Sequence, residues 1–228
     1  MTKSIFYIVV GLLFFQNVNA QKEKETALQF QLKFEESPLE FRKTYISKNQ
    51  DTLQISTFKC YISGLQLHYA DQTVFTEPNS FHLLDGDAIE TLSIPIVVDK
   101  SKEITKVVFN IGIDSTTSVS GALAGDLDPT KGMYWAWQSG YINMKLEGKS
   151  SSCKTRKNEF QFHIGGYKQP YYALRKIELF LINQKLLIAI DVAELFSEIQ
   201  LSETNTIMIP GKKAMEIADK SLKMFKTE

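Results

Sequence analysis

Residues 104–113 read ITKVVFNIGI, a run rich in β-branched and aromatic side chains. Positions 105, 107, 109 and 111 alternate with positions 104, 106, 108 and 110, and this period of two is typical of a β-strand. The same kind of pattern recurs along the chain. We predict further strands at 28–34, 53–69, 74–75, 80–84, 92–98, 134–146, 159–164, 174–182 and 186–192.

The gaps between these strands complete the predicted architecture. Ser63-Gly64 interrupts the longest strand and predicts a bend or bulge there. Helical spacing of apolar residues predicts a short helix near 192–199 and a C-terminal helix over 212–225. The fold class is therefore mainly β: a β-sandwich or barrel-like single domain over residues 21–228, with a long Ser/Thr/Gly/Asp-rich loop at 115–131.

Composition excludes several classes of function. The chain has 228 residues, with 26 basic and 26 acidic side chains, so it has no broad positive field for nucleic acid. Its 43% hydrophobic content is sufficient for a sizeable core. Two Cys and three His exclude a disulfide-dense scaffold and a four-thiolate zinc site.

Residues 1–20 have the pattern of a cleaved secretory signal peptide. Lys3 precedes a short apolar run at 5–15, and Val18 and Ala20 occupy the −3 and −1 positions of a cleavage site after Ala20. The run is too short for a membrane-spanning helix, which needs about 20 apolar residues. We therefore expect a periplasmic or secreted protein that does not span a membrane.

Both tryptophans lie in the run MYWAWQSGY at 133–141. On a strand, Met133, Trp135 and Trp137 would share one face. Large aromatic residues of this kind commonly build the core of a sandwich, and they also form binding surfaces, so packing and function both remain open.

The three histidines are the candidate metal ligands. His163 lies in FQFHIGG at 160–166, His82 in FHLLD at 81–85, and His68 at the end of the strand 53–69. Imidazoles with a thioether such as Met133 can bind copper or zinc, whereas a single His is usually a hydrogen-bonded structural residue. Their spacing does not decide between these alternatives.

Cys60 and Cys153 have two readings. An exported protein meets an oxidising environment, which favours a disulfide between them over a pair of thiolate metal ligands. The acidic side chains Asp114, Asp126 and Asp128 suit either ordinary turns or a calcium site, but their spacing differs from that of an EF-hand loop. No nucleophile–base motif is present in the sequence, so we expect no enzymatic activity.

Several motifs together resemble the MbnP-like family, which comprises secreted or periplasmic copper-associated proteins named for a partner of methanobactin gene clusters. The resemblance is carried by the following segments: 58–67 (FKCYISGLQL), 127–141 (LDPTKGMYWAWQSGY), 146–148 (LEG), 160–166 (FQFHIGG) and 207–211 (IMIPG).

The resemblance implies a β-rich copper-binding domain in which His side chains and a Trp oxidised to kynurenine hold the metal. It also implies a dihaem peroxidase-like partner that performs this oxidation. Carried over here, His163 is the first ligand, followed by His82 and then His68, with Trp135 or Trp137 as the modified position. The chain departs from the family at 204–206 (TNT), where members often carry a His. The main hypothesis is copper acquisition, storage or delivery. The alternative is a metal-free β-sandwich module that binds a protein or glycan.

Overall fold

The structure, a computed structural model, describes residues 23–138 and 140–228. The predicted signal peptide at 1–20 lies outside the described residues. In chain order the strands are β1 (Glu23–Phe34), β2 (Ser37–Pro38), β3 (Thr44–Ile46), β4 (Thr52–Tyr69), β5 (Val74–Thr76), β6 (Phe81–Asp85), β7 (Ser93–Asp99), β8 (Ile104–Ile111), β9 (Tyr134–Trp135), β10 (Gly140–Ser150), β11 (Glu159–Gly165), β12 (Arg175–Phe180), β13 (Leu187–Asp191), β14 (Thr206–Ile207) and β15 (Phe225–Thr227).

The helical segments of the described residues are short. The α-helices are α1 (Ser115–Val119), α2 (Val192–Ser197) and α3 (Lys212–Ser221), and the 3-10 turns are Ile89–Leu92, Gly125–Leu127, Pro129–Lys131 and Leu222–Met224. Within the described part of the chain, no helix has the length and apolar character needed to cross a membrane.

Two sheets form the molecule. The smaller sheet has the order β15-β13-β1-β2, with β7 also paired to β1. The larger sheet has the order β12-β8-β4-β10-β11-β14, and β3, β5 and β6 pair with β4 as well. The mainly β prediction is therefore confirmed.

Strand β4 is the central element of the larger sheet. One edge of β4 pairs with β10 and then with β8, and its other edge pairs with β3, β6 and β5 in turn. The register with β8 shifts between Ser63 and Gln66, and Gly64 has a φ of 61°. A residue with a side chain is strained in this left-handed conformation, so the glycine permits the predicted bulge.

The main core lies between the two sheets. Phe30 of β1 packs edge-on against Phe109 of β8, with 5.9 Å between the ring centroids. Phe109 is fully buried, and burial of a side chain of this size stabilises the fold by roughly 1.5–3 kcal/mol. The alternation in ITKVVFNIGI thus places its aromatic residue where the two sheets meet.

A second, smaller cluster lies on the other face of the larger sheet, which we call the outer face. Its members, the outer cluster, are Tyr61, Leu83, Ile113, Leu127, Met133, Trp135, Tyr141 and Ile142. The segment 115–131 packs over this face, because the Tyr61 hydroxyl donates to the Asp126 carbonyl at 2.9 Å. The predicted loop at 115–131 therefore contains α1 and two 3-10 turns, and it is not devoid of regular structure.

Two predicted elements differ from the structure at their ends. The predicted strand 134–146 is a hairpin: β9 ends at Trp135, a turn follows, and Trp135 pairs with Gly140 of β10. The predicted helix 212–225 ends as α3 at Ser221, and a 3-10 turn leads into β15, which pairs with β13. In both places the apolar pattern continues across a change of backbone conformation.

Candidate metal centre

His163 lies on the outer face of β11. Phe162 and Ile164, its neighbours in the strand, both pack into the main core, so alternation directs His163 away from it. Its Nε2 lies 2.6 Å from Oε1 of Glu147 on the adjacent strand β10. The imidazole side chain is only 10% exposed.

The electrostatics of this pair fix the tautomer. The hydrogen bond from His163 lowers the pKa of the Glu147 carboxyl below its ordinary value, although burial opposes it. The carboxylate can only accept, so Nε2 of His163 carries the hydrogen. In a neutral ring this leaves the Nδ1 lone pair available, which is the arrangement commonly found in metal-ligating histidines.

His82 makes a similar contact in a different place. It lies on β6 with its Nε2 2.8 Å from Oε2 of Glu77. Burial acts to raise the pKa of Glu77, but hydrogen bonds from His82 and Ser80 outweigh it and the pKa is lowered. His82 alternates in step with Leu84, which packs into the main core, so it lies on the opposite face of the sheet from His163.

His68 is distant from both. It lies near the end of β4, opposite Val74 of β5 and Lys106 of β8. His163 is level with Lys59 of β4, through Lys145 of β10. Nine residues separate Lys59 from His68, which amounts to more than about 20 Å along the strand. The Nε2 atom of His68 is buried and has no hydrogen-bond partner among the described residues.

The structure therefore does not bring the three predicted imidazoles together. Across residues 23–138 and 140–228, no group of three or more His, Cys, Asp and Glu side chains is arranged to hold a metal ion. What the fold supplies instead is one oriented imidazole, His163, on the strand against which Trp135 packs. This donor set fits copper as a single nitrogen ligand and does not form a complete three-ligand site.

The two tryptophans occupy different environments. Trp135 is 6% exposed and belongs to the outer cluster, whereas Trp137 is 63% exposed in the turn after β9. Their ring centroids are 6.0 Å apart with a tilted geometry. The prediction that both share one face of a continuous strand is wrong, because β9 ends between them.

Trp135 reaches the same strand as His163. A Cβ atom built at Gly165 would lie 2.8 Å from the Trp135 indole, so the indole lies directly on the glycine. Gly165 and His163 are two residues apart and face the same side of β11. Met133 is fully buried in the outer cluster and is not exposed as a thioether ligand.

The predicted Cys60–Cys153 disulfide is absent: both thiols are free and buried. The register explains why. Cys60 pairs with Met144, whereas the turn holding Cys153 follows Ser150, which pairs with Leu53. Seven residues of β4 separate these positions, about 20 Å along the strand, and a disulfide needs Cα atoms within about 7 Å. Burial also raises the pKa of Cys153 to about 11, which makes it a poor thiolate ligand.

The acidic side chains at 114, 126 and 128 bond to groups within their own loop. Asp114 accepts from the Thr117 amide at the start of α1, and Asp128 accepts from the Thr130 amide before a 3-10 turn. Asp126 accepts from the Lys131 ammonium at 2.6 Å. These contacts follow the turn interpretation and not the calcium one.

Glu147 and Glu77 are the residues that the sequence analysis missed. Glu147 is two residues from the position opposite His163, and its place beside the imidazole depends on the pairing of β10 with β11. Cross-strand neighbours of this kind are not adjacent in sequence. The one available signal was that 146–148 and 160–166 both belong to the segments that resemble one family.

The fold and this face together define a class: a two-sheet β protein with a carboxylate-held imidazole beside a buried Trp. The family model MbnP matches residues 23–209, and the chain belongs to the MbnP family. A solved structure, MbnP from Methylosinus trichosporium, has a similar fold with a TM-score of 0.63 and 13% identity, over 83% of each chain. No curated protein matches the sequence closely enough to count as a relative.

Proposed function

We propose that the protein is an exported copper-binding protein of the MbnP family, without catalytic turnover, that takes the metal at His163. One observation carries this proposal. His163 is held by Glu147 on the outer face, on the strand against which Trp135 packs. A carboxylate bonded to one ring nitrogen leaves the other oriented and basic, as a metal ligand requires.

Copper is the metal that suits a sparse nitrogen donor set. Among divalent first-row ions, Cu(II) binds a given nitrogen site most tightly, so it is the ion that a site with few ligands would retain best. Membership of the family supports the same metal. The chain would hold copper for acquisition, storage or delivery.

Oxidation of a tryptophan would add the donor that the described residues lack. Oxidative cleavage of the indole C2–C3 bond, with peroxide as the oxidant, would insert two oxygen atoms, and hydrolytic loss of C2 as formate would leave kynurenine with an aryl amine nitrogen. We assign this role to Trp135, since its indole lies on Gly165, two residues from His163. A dihaem peroxidase-like partner would perform the oxidation, and the predicted signal peptide would bring the chain to the same periplasmic or extracellular space.

Metal analysis of the natively expressed protein tests the proposal. We expect bound copper in the wild type and its loss in His163→Ala. His82→Ala is the matched control, because it removes an imidazole with the same kind of carboxylate partner from the opposite face. Full copper content in His163→Ala, or loss in His82→Ala alone, would contradict the assignment. Peptide mass mapping then reports whether Trp135 or Trp137 carries the oxidation.

A second function is favoured by the exposure of Trp137. An indole that is 63% exposed beside a second Trp suits a metal-free module that binds a protein or glycan. This alternative predicts no copper in the purified protein and a thermal unfolding curve that neither copper nor a chelator changes. Copper-dependent stabilisation would decide against it.

A further inference from the structure

A groove lies on the outer face, next to the His163–Glu147 pair, and takes no part in the proposed copper site. It has a volume of about 520 Å³ and crosses β4, β10 and β11. Glu147 lines the groove and also contacts His163, so the groove adjoins the carboxylate–imidazole pair. Its basic side chains are Arg42, Lys149 and Lys157.

Acidic and basic side chains share the groove, and the strand pairing places Glu159 directly opposite Lys149. None of Arg42, Lys149 and Lys157 forms an ion pair with a described residue. Glu159 is the one carboxylate of the groove besides Glu147, and Glu147 already accepts from His163. With three basic and two acidic side chains in its lining, the groove carries an excess of one positive charge, although the chain as a whole is neutral.

The floor of the groove is built by a β-bulge. Glu147 of β10 pairs with Thr57 of β4, but the next residue, Gly148, pairs with Ile55. Ser56 is the extra residue and lines the groove. Bulges are common beside binding sites, because they re-aim side chains out of the regular ladder.

Gly148 is required by this floor. A Cβ atom at position 148 would clash with the Gln54 carbonyl and the Phe160 ring. Any side chain there would displace the backbone of β4 or a core aromatic residue, because neither neighbour is a flexible side-chain end. Gly148 thus faces the main core, and its lack of a side chain lets β10 lie close to β4 and Phe160 behind the groove.

Arg42 stands beside the groove in an uncommon backbone conformation. Its φ is 65°, in the left-handed region that few residues other than glycine adopt, and its amide donates to the Ile55 carbonyl at 2.7 Å. This conformation costs of order 1 kcal/mol, and seven other non-glycine residues of the described structure share it, so it marks a tight turn at Arg42. It is held here by the same stretch of β4 that forms the bulge.

We propose that this groove binds a small hydroxylated organic anion that carries more than one carboxylate. Arg42, Lys149 and Lys157 would bind the carboxylates, since guanidinium and ammonium groups make the strongest hydrogen bonds to them. Ser56 and Gln161 supply neutral hydrogen-bonding groups for hydroxyls. This site goes beyond the proposed copper function and does not depend on it.

Calorimetric titration with citrate, in metal-free buffer at low salt, tests the proposal. The double variant Lys149→Ala/Lys157→Ala should weaken citrate binding about tenfold or more, as expected for loss of charged hydrogen bonds. The matched control is Lys154→Ala/Arg156→Ala, which removes the same charge from the turn between β10 and β11 that also holds Lys157, and neither residue lines the groove. The control should bind citrate within about twofold of the wild type.

Two further ligands separate the groove from general ion binding. Triethyl citrate keeps the skeleton without the charges and should not bind; inorganic sulfate should bind much more weakly than citrate. In NMR spectra, citrate should shift the amides of Gly148 and Phe160 in the wild type. Absence of citrate binding, equal binding of sulfate or triethyl citrate, or equal weakening by the two double variants would overturn the proposal.

Discussion

His163 and His82 make nearly the same contact and lie in different surroundings. Each places Nε2 against a glutamate oxygen, at 2.6 Å for His163 and 2.8 Å for His82. His163 shares the outer face of its strand with the Trp135 indole and adjoins the groove, whereas His82 lies on the opposite face near the main core. A carboxylate–imidazole pair alone is therefore insufficient to identify a metal site. The side chains around the pair distinguish a candidate site from a structural contact.

Two lysines lie on the outer face near the His163–Glu147 pair. Lys145, opposite His163, donates to the Gly132 carbonyl, and burial lowers its pKa. Lys59, the next residue across the sheet, pairs with Asp85 at 2.7 Å. The outer face thus tethers the 128–138 segment to the sheet with two lysines, since Lys59 also donates to the Lys131 carbonyl.

Removal of Trp135 should produce the largest difference between the two regions. Trp135→Ala is expected to cost about 3–5 kcal/mol in the free energy of unfolding, because it empties a buried site in the outer cluster. Trp137→Ala should cost less than about 1 kcal/mol, since its ring is mostly exposed and loses only one aromatic contact. Urea denaturation measures both.

The NMR shifts of the two imidazoles extend this test. In Trp135→Ala the His163 ring signals should move, and the His82 signals should stay in place because that ring lies on the other face. Equal movement of both would show that the two regions are coupled. An equal loss of stability in the two Trp variants would contradict the structure of the hairpin.

Local patterns predicted the strands well and their junctions poorly. The alternation at 104–113 predicts β8 because successive side chains of a strand point to opposite faces, so the polarity of each residue indicates its face. Gly64 likewise indicated the bulge in β4. The hairpin at 136–138 was missed because Tyr134, Trp135 and Trp137 continue the apolar spacing of a strand through the turn. Aromatic packing over Gly165, a residue distant in sequence, fixes that turn in space.

The sequence predicted the orientation of each candidate residue within its own strand, but not which candidate residues lie close together. Alternation correctly set His163 apart from Phe162, and His82 apart from Leu83. Whether two such residues share a face depends on strand pairing, which a single sequence does not specify. For the same reason Glu147 was not recognised as the partner of His163.

Loss of either imidazole should change acid stability in the same direction and by a smaller amount than loss of Trp135. The pKa values of Glu147 and Glu77 are lowered in the fold, so each contributes stability that is present above about pH 4.5 and is lost as the pH falls through the lowered value. His163→Ala should remove about 1 kcal/mol at pH 7 and flatten this acid limb of the stability curve. His82→Ala should do the same through Glu77.

The double variant His163→Ala/His82→Ala tests whether the pairs are independent. Because the two rings lie on opposite faces, the two losses at pH 7 should add within about 0.5 kcal/mol. Denaturation at a series of pH values provides the numbers. A larger coupling energy would show that the two histidines share one site, whereas an acid limb that His163→Ala leaves unchanged would show that His163 does not lower the pKa of Glu147.

The smallest effect is expected from a reducing agent. The β4–β10 register that separates His163 from His68 also separates Cys60 from Cys153, so dithiothreitol should leave the melting temperature unchanged. Burial raises the pKa of both thiols, and a thiol reagent should label neither in the folded protein and both after unfolding. A disulfide closing this long loop would contribute about 4 kcal/mol, so a reductant would then lower the melting temperature by several degrees. Such a drop would mean that β4 and β10 pair in another register, and the separation of His163 from His68 along β4 would lose its basis.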